Sequence, residues 1–239
     1  MGQQYPTREQ RPGAKLVAKR RGLPGIGFSV AAMLLSIQTG LCPAQEAQRV
    51  RTSPAEAIRP DFGNVRGLNY IASYAPSDVA MWRFYDRKQI DCELGLIESL
   101  GANSVRVWLA WVVYDVEGDR FVEKFTDFLS LCERHRITVM PILWDSCFGD
   151  AKASYENVKD WVANPGTDRV ADPAFREKGD QYVRAVIEAG RESPSLLIWD
   201  VMNEPSGPKV NGWLEHYCRL VKSLDPKHPV TIGWAHAGG

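Results

Sequence analysis

The stretch Leu196-Leu197-Ile198-Trp199-Asp200-Val201-Met202-Asn203-Glu204-Pro205 decides how this chain is read. From Leu196 to Met202 it is short and mostly apolar, as expected of a strand covered on both faces, and Ser193-Pro194 punctuates its start. Pro205 ends it. The residue before a proline is pushed toward extended geometry, so Glu204 is expected to continue the strand and project from its carboxyl end. A carboxylate there is costly to desolvate, and one that persists usually has a partner or a task. The competing reading makes Asn203 and Glu204 caps of the following helix, since Asn caps well and Glu suits a helix start.

Working outward, the chain alternates. A strand at Val65–Ile71 leads to a helix at Asp86–Leu100 with Ile90, Leu94 and Ile97 on one face. A second strand, Ser104–Leu109, leads to a helix near Val122–His135 that carries Phe121, Phe125, Phe128 and Cys132 in register. A third strand, Ile137–Trp144, precedes a long polar stretch, Ser146 to Pro173, expected to form a cleft wall, and then a helix near Ala174–Arg191. After the fourth strand, Trp213, Tyr217, Leu220 and Leu224 line one side of a helix, and a fifth strand spans Val230–Trp234. Strands alternating with helices imply parallel pairing with right-handed crossovers, an α/β fold. A doubly wound nucleotide fold needs a glycine-rich turn after its first strand. Asn69-Tyr70-Ile71-Ala72-Ser73-Tyr74 is no phosphate cradle, so the barrel reading is preferred.

This pattern resembles the (β/α)8-barrel glycoside hydrolases of the large clan that includes family five, the cellulases and β-mannanases. Trp199-Asp-Val-Met-Asn-Glu-Pro205 carries most of the resemblance, Gly67-Leu-Asn-Tyr70 and Asn103-Ser-Val-Arg106 add to it, and Gly233-Trp234 contributes weakly. The resemblance implies a TIM barrel of which the first five strands are present over residues 62–239, because a complete barrel takes roughly 250 residues. It also implies that Glu204 is the general acid/base, that Asn203 binds the sugar 2-hydroxyl, and that Arg106 pairs with the nucleophile. The family places its nucleophilic Glu on strand seven, which this sequence lacks. Asp200 lies about 13 Å back along an extended strand, too deep to replace it.

Strand carboxyl ends meet around one pocket in such a barrel, which nominates Asn69, Tyr70, Trp111, Trp144, Asp145, Trp161, Trp234 and His236 as substrate-binding residues. Tyr74 and Trp82, in the first loop, are further candidate sugar platforms. Trp199 and Trp213 are read as core. The expected activity is retaining hydrolysis of a β-linked polysaccharide, cellulose or β-mannan in type. The alternative is a non-catalytic sugar-binding or relic fragment. The chain alone is expected to be inert, with exposed sheet edges that favour association.

Composition agrees. At 44% hydrophobic and zero formal net charge, the chain has no electrostatic signature of a nucleic-acid or membrane-surface partner. No cofactor or metal is expected, since the cysteines and histidines are scattered without zinc spacing. Residues 1–44, with six Lys or Arg between Arg8 and Arg21 and the apolar stretch Ile26–Ile37, read as a signal peptide ending at Cys42-Pro43-Ala44, which implies a secreted or periplasmic protein. Residues 45–61 read as a linker. Cys92, Cys132, Cys147 and Cys218 are expected to be buried or incidental thiols, because Cys92 and Cys132 should face apart.

Overall fold

A computed structural model of the chain describes residues 62–147, 153–206 and 210–235. The proposed signal peptide, the linker and His236 lie outside them. Five parallel strands, β1 (Gly67–Tyr70), β2 (Ser104–Trp108), β3 (Thr138–Asp145), β4 (Trp199–Asn203) and β5 (Val230–Gly233), pair in chain order. Register places Asn69 beside Arg106 and Arg106 beside Met140, so these three share one face.

The helices form where the apolar period predicts them. Helix α2 (Arg87–Ser99) starts at Asp86, whose carboxylate accepts from the amides of Lys88 and Gln89, and it buries Ile90, Leu94 and Ile97. Helix α4 (Asp119–Arg134) buries Phe121, Phe125, Phe128 and Cys132. Helix α6 (Arg176–Gly190) and helix α7 (Val210–Leu224) follow β3 and β4, with Trp213, Tyr217 and Leu220 inward on α7. Three further helices were not expected: α1 (Asp78–Arg83), α3 (Trp111–Glu117) and α5 (Thr167–Val170). Each is too short to display a period. Helix α1 starts at Ser77, whose hydroxyl oxygen accepts from the Ala80 amide at 3.1 Å.

An aromatic layer fills the space between sheet and helices. Trp82 packs on Phe121 and Phe128 at 5.4 and 5.7 Å, and Trp144 packs on Tyr182 and Trp213 at 4.9 and 5.1 Å. Trp199 and Trp213 belong to this core, as expected. The loop after β3 returns to its own base, where Asp145 and Asn164 exchange both backbone hydrogen bonds at 2.8 and 2.9 Å. Among the described residues no helix is long and apolar enough to cross a membrane.

One cysteine departs from expectation. Cys132, Cys147 and Cys218 are free, but Cys92 is disulfide-bonded. The geometry that argued against a bridge holds for Cys132, which is buried on the inner face of α4. It does not extend to Cys92, which is half-buried on α2 away from Ile90, Leu94 and Ile97.

Helix α6 comes close to β4 at Gly190, where a Cβ would lie 2.8 Å from the Trp199 ring and 3.2 Å from Phe125. The Trp199 indole cannot readily yield, because its N–H donates to Asp225 Oδ2 at 2.8 Å. Gly190→Val should therefore destabilise the chain by about 1–3 kcal/mol in urea unfolding. By contrast, Gly212 of α7 has nothing within 4 Å of a new Cβ, and Gly212→Ala should raise stability by up to about 1 kcal/mol.

Candidate active site

Asp200 and Asn203 are three residues apart, a spacing that places side chains on opposite faces of a regular strand. A register shift between them in the β4–β5 pairing reconciles the two. Both reach Arg106 of β2. The guanidinium donates from Nε and Nη2 to Asp200 Oδ2 at 2.9 and 2.6 Å, and from Nη2 to Asn203 Oδ1 at 2.9 Å. Asp200 is fully buried, and the loss of water raises its pKa even though Arg106 opposes the shift.

Asn203 is held from its other side as well. Its Nδ2 donates to Asp145 Oδ2 at 3.2 Å, so carbonyl toward arginine and amide toward carboxylate fix the orientation of the group. Asp145 is a shared acceptor. The Trp108 indole donates to its Oδ2 at 2.7 Å, and the Cys147 amide donates to its Oδ1 at 2.6 Å. Burial, against these donors and with a smaller contribution from the Asp78 carboxylate, pushes Asp145 up to about 7. Asp78, buried at the start of α1 with Asn164 as its donor, is pushed up to about 6 by the same loss of water.

Glu204 departs from the expected extended geometry: its φ is 44°, in the left-handed region. Proline alone does not set the conformation, because neighbours fasten the residue at three points. The Glu204 amide donates to the Gly233 carbonyl at 2.7 Å, the Ser146 hydroxyl donates to the Glu204 carbonyl at 3.0 Å, and the Cys147 thiol donates to Oε2 at 2.7 Å. Left-handed backbone in a non-glycine residue costs about 1–3 kcal/mol and persists where surroundings over-determine it.

Of the nominated residues, Arg106, Asp145, Asn203 and Glu204 come together. Asn69 is exposed and aligned with Arg106 across the β1–β2 pairing. Trp161 joins through Trp108, its ring 5.4 Å away edge-on, and Trp234 is 56% exposed beyond β5.

Three nominations are corrected. Tyr70 faces the helices, stacked on Phe128 at 5.9 Å with its hydroxyl on Glu93. Trp111 is buried against Phe175 at 4.6 Å, and Trp144 is buried among Tyr182, Trp213 and Tyr217. Tyr70 and Trp144 miss the pocket because one step along a strand turns a side chain to the other face, and Trp111 misses it because it opens helix α3 instead of continuing β2. The first-loop aromatics fail similarly: Trp82 is wholly buried, and the Tyr74 hydroxyl donates to the Met81 carbonyl.

Sequence reasoning passed over Ser146, Cys147 and the need for glycine at position 233, and it placed Trp108 at the end of the second strand without nominating it for binding. A signal existed for Trp108, which lies two residues beyond Arg106 and so on the same face. At Gly233 a Cβ would meet Arg106 Nη2 at 2.5 Å and Asp200 Oδ2 at 3.1 Å. Among the described residues no group of three or more His, Cys, Asp or Glu is placed to hold a metal ion.

Asp145 yields a pH prediction. Its folded pKa of about 7 stands above the ordinary value of about 3.9, so the folded chain holds a proton that the unfolded chain releases, and stability should fall as pH rises from 4 to 7. The Trp108 indole N–H resonance should titrate with a midpoint near pH 7. In Asp145→Asn that step should vanish.

No family model matches the chain. It is 24% identical over 242 residues to a probable mannan endo-1,4-β-mannosidase A of Aspergillus flavus, covering 85% of this chain and 60% of the relative. It is 26% identical over 180 residues to mannan endo-1,4-β-mannosidase 8 of rice, covering 62% of this chain and 46% of the relative. The chain thus spans less than two thirds of the length of these curated relatives. Among solved structures, it aligns with the endo-1,4-β-D-mannanase of Thermotoga petrophila at a TM-score of 0.53 and 18% identity, covering 71% of this chain and 55% of that one. A glycoside hydrolase family 5 mannosidase from Rhizomucor miehei aligns at 0.53 and 15% identity, covering 73% and 52%.

Proposed function

Starting from a chain whose fold is that of the family-five glycoside hydrolase barrels, over the part present, we propose that it carries the acid/base half of a retaining β-mannan glycosidase. The observation that carries this reading is the doubly held Asn203 followed at once by the half-buried Glu204 at the carboxyl end of β4. In the proposal Glu204 protonates the glycosidic oxygen as the leaving sugar departs and later activates the water. Asn203 donates one amide hydrogen to Asp145 and has a second for the sugar 2-hydroxyl. Trp108, Trp161 and Trp234 offer apolar ring faces to pyranose rings.

Retention needs a second carboxylate about 5–5.5 Å from the first. Asp145 accepts three hydrogen bonds and Asp200 is bound by Arg106, so neither is offered as nucleophile. In the proposal that group is a Glu on strand seven of the complete enzyme, and the enzyme is exported to act on β-mannan outside the cytoplasm. Arg106, held to Asp200, keeps a fixed positive charge in the pocket that favours the ionised form of such a nucleophile.

The test is the leaving-group dependence of Glu204→Gln in the complete enzyme. On β-mannan kcat/KM should fall by about 10²–10⁴-fold. On aryl β-mannosides with activated leaving groups, which need little proton donation, the fall should be far smaller. Equal losses on both would sink the acid/base role.

A further inference from the structure

Of the groups around Glu204, the Cys147 thiol is unusual, because the donor placed against Oε2 is a sulfur, a weak donor, instead of the usual nitrogen or hydroxyl. Its placement is built rather than incidental. The Cys147 amide is tied to Asp145 Oδ1, the preceding Ser146 amide donates to the Asn203 carbonyl at 3.2 Å, and the Ser146 hydroxyl grips the Glu204 carbonyl while accepting from the Ser206 amide at 3.1 Å. The Ser146-Cys147 turn therefore touches the residue before Glu204, its backbone, its carboxylate and the residue two beyond.

We propose that Cys147 is a positioning residue for the acid/base: its thiol fixes the Glu204 side chain while Ser146 fixes the left-handed backbone beneath it. The proposal rests on the catalytic reading of Glu204 and deepens it. A carboxylate on a flexible side chain samples several rotamers, and a donor at one oxygen selects one of them, leaving the other oxygen for the glycosidic bond. A neutral thiol does this without a positive charge that would hold the carboxylate permanently ionised. The charged groups facing the sulfur are Glu204, beyond β4, and Asp145, at the end of β3. Loss of water around the sulfur first, and hydrogen bonding to Glu204 second, push the thiol up to about 12.

The consequence is measurable without turnover. Cys147 is exposed, so an ordinary thiol at its position would alkylate readily, through the thiolate. The full chain is treated with iodoacetamide across pH 7 to 11, and modification at each cysteine is followed by peptide mass spectrometry. Cys132, which is free and buried, reports in the same sample that the chain stays folded. The Cys147 rate should still be climbing above pH 10, and Glu204→Gln should raise it about tenfold or more at pH 8, one order for each unit by which the thiol pKa drops. A wild-type rate that levels off near pH 9, or equal rates in wild type and Glu204→Gln, overturns the proposal. If Glu204→Gln exposes Cys132, the comparison is made with Glu204→Asp, whose shorter side chain withdraws the acceptor from the thiol, with the same rise expected and equal rates again overturning the proposal. Because the readout is alkylation, a failed leaving-group test beside an intact thiol profile would remove the catalytic role of Glu204 and leave the contact standing.

Discussion

The pairing of Arg106 with Asp200 is the constraint around which the site is arranged. A buried carboxylate without a counter-charge is strongly unfavourable, and Asp200 is fully buried, so the guanidinium has little freedom to be elsewhere. Once Arg106 is anchored, its remaining Nη2 direction meets Asn203, and β4 must break register to bring that residue round. The same anchor forces glycine at position 233, because a side chain there would collide with the guanidinium. A glycine carbonyl is then the acceptor for the Glu204 amide. One electrostatic requirement therefore propagates through three strands to the backbone of the proposed acid.

Asp145 works from the opposite side. It gathers the indole of Trp108, the amide of Asn203 and the main chain of Cys147, which belong to β2, β4 and the loop beyond β3. These donors favour its ionised form while burial favours the neutral one, and the outcome lies near neutrality. A group poised in this way couples the order of the site to pH through positioning rather than through proton transfer to substrate.

Much of the architecture is legible in the sequence, and the reasons are physical. Long amphipathic helices such as α2 and α4 announce themselves through Ile90, Leu94 and Ile97 or through four registered residues from Phe121 to Cys132, and apolar strands between them leave little choice of class. Arg106, Asn203 and Glu204 were readable because a charged or amide side chain in an apolar strand needs a reason. Side-chain direction at strand ends was not. Tyr70 and Trp144 are aromatic residues at the right height on the wrong face, Trp111 opens α3, and only Trp108 carries a local marker, its two-residue spacing from Arg106. The conformation of Glu204 was misread because the proline preference is a local bias of the chain, outweighed here by contacts from Ser146, Cys147 and Gly233, distant in sequence.

The paired backbone of Asp145 and Asn164 separates two problems that loops usually present together. By clamping the excursion at its base, it makes the strand end indifferent to how much chain is spooled out between the two residues, and lengthening a closed loop is thermodynamically mild, about 0.6 kcal/mol per doubling. Beyond Cys147 the excursion can therefore change in length while Asp145 keeps its station. The two-bond clamp thus isolates the far part of the excursion from the strand end, while Ser146 and Cys147, at its first two positions, stay tied to Glu204.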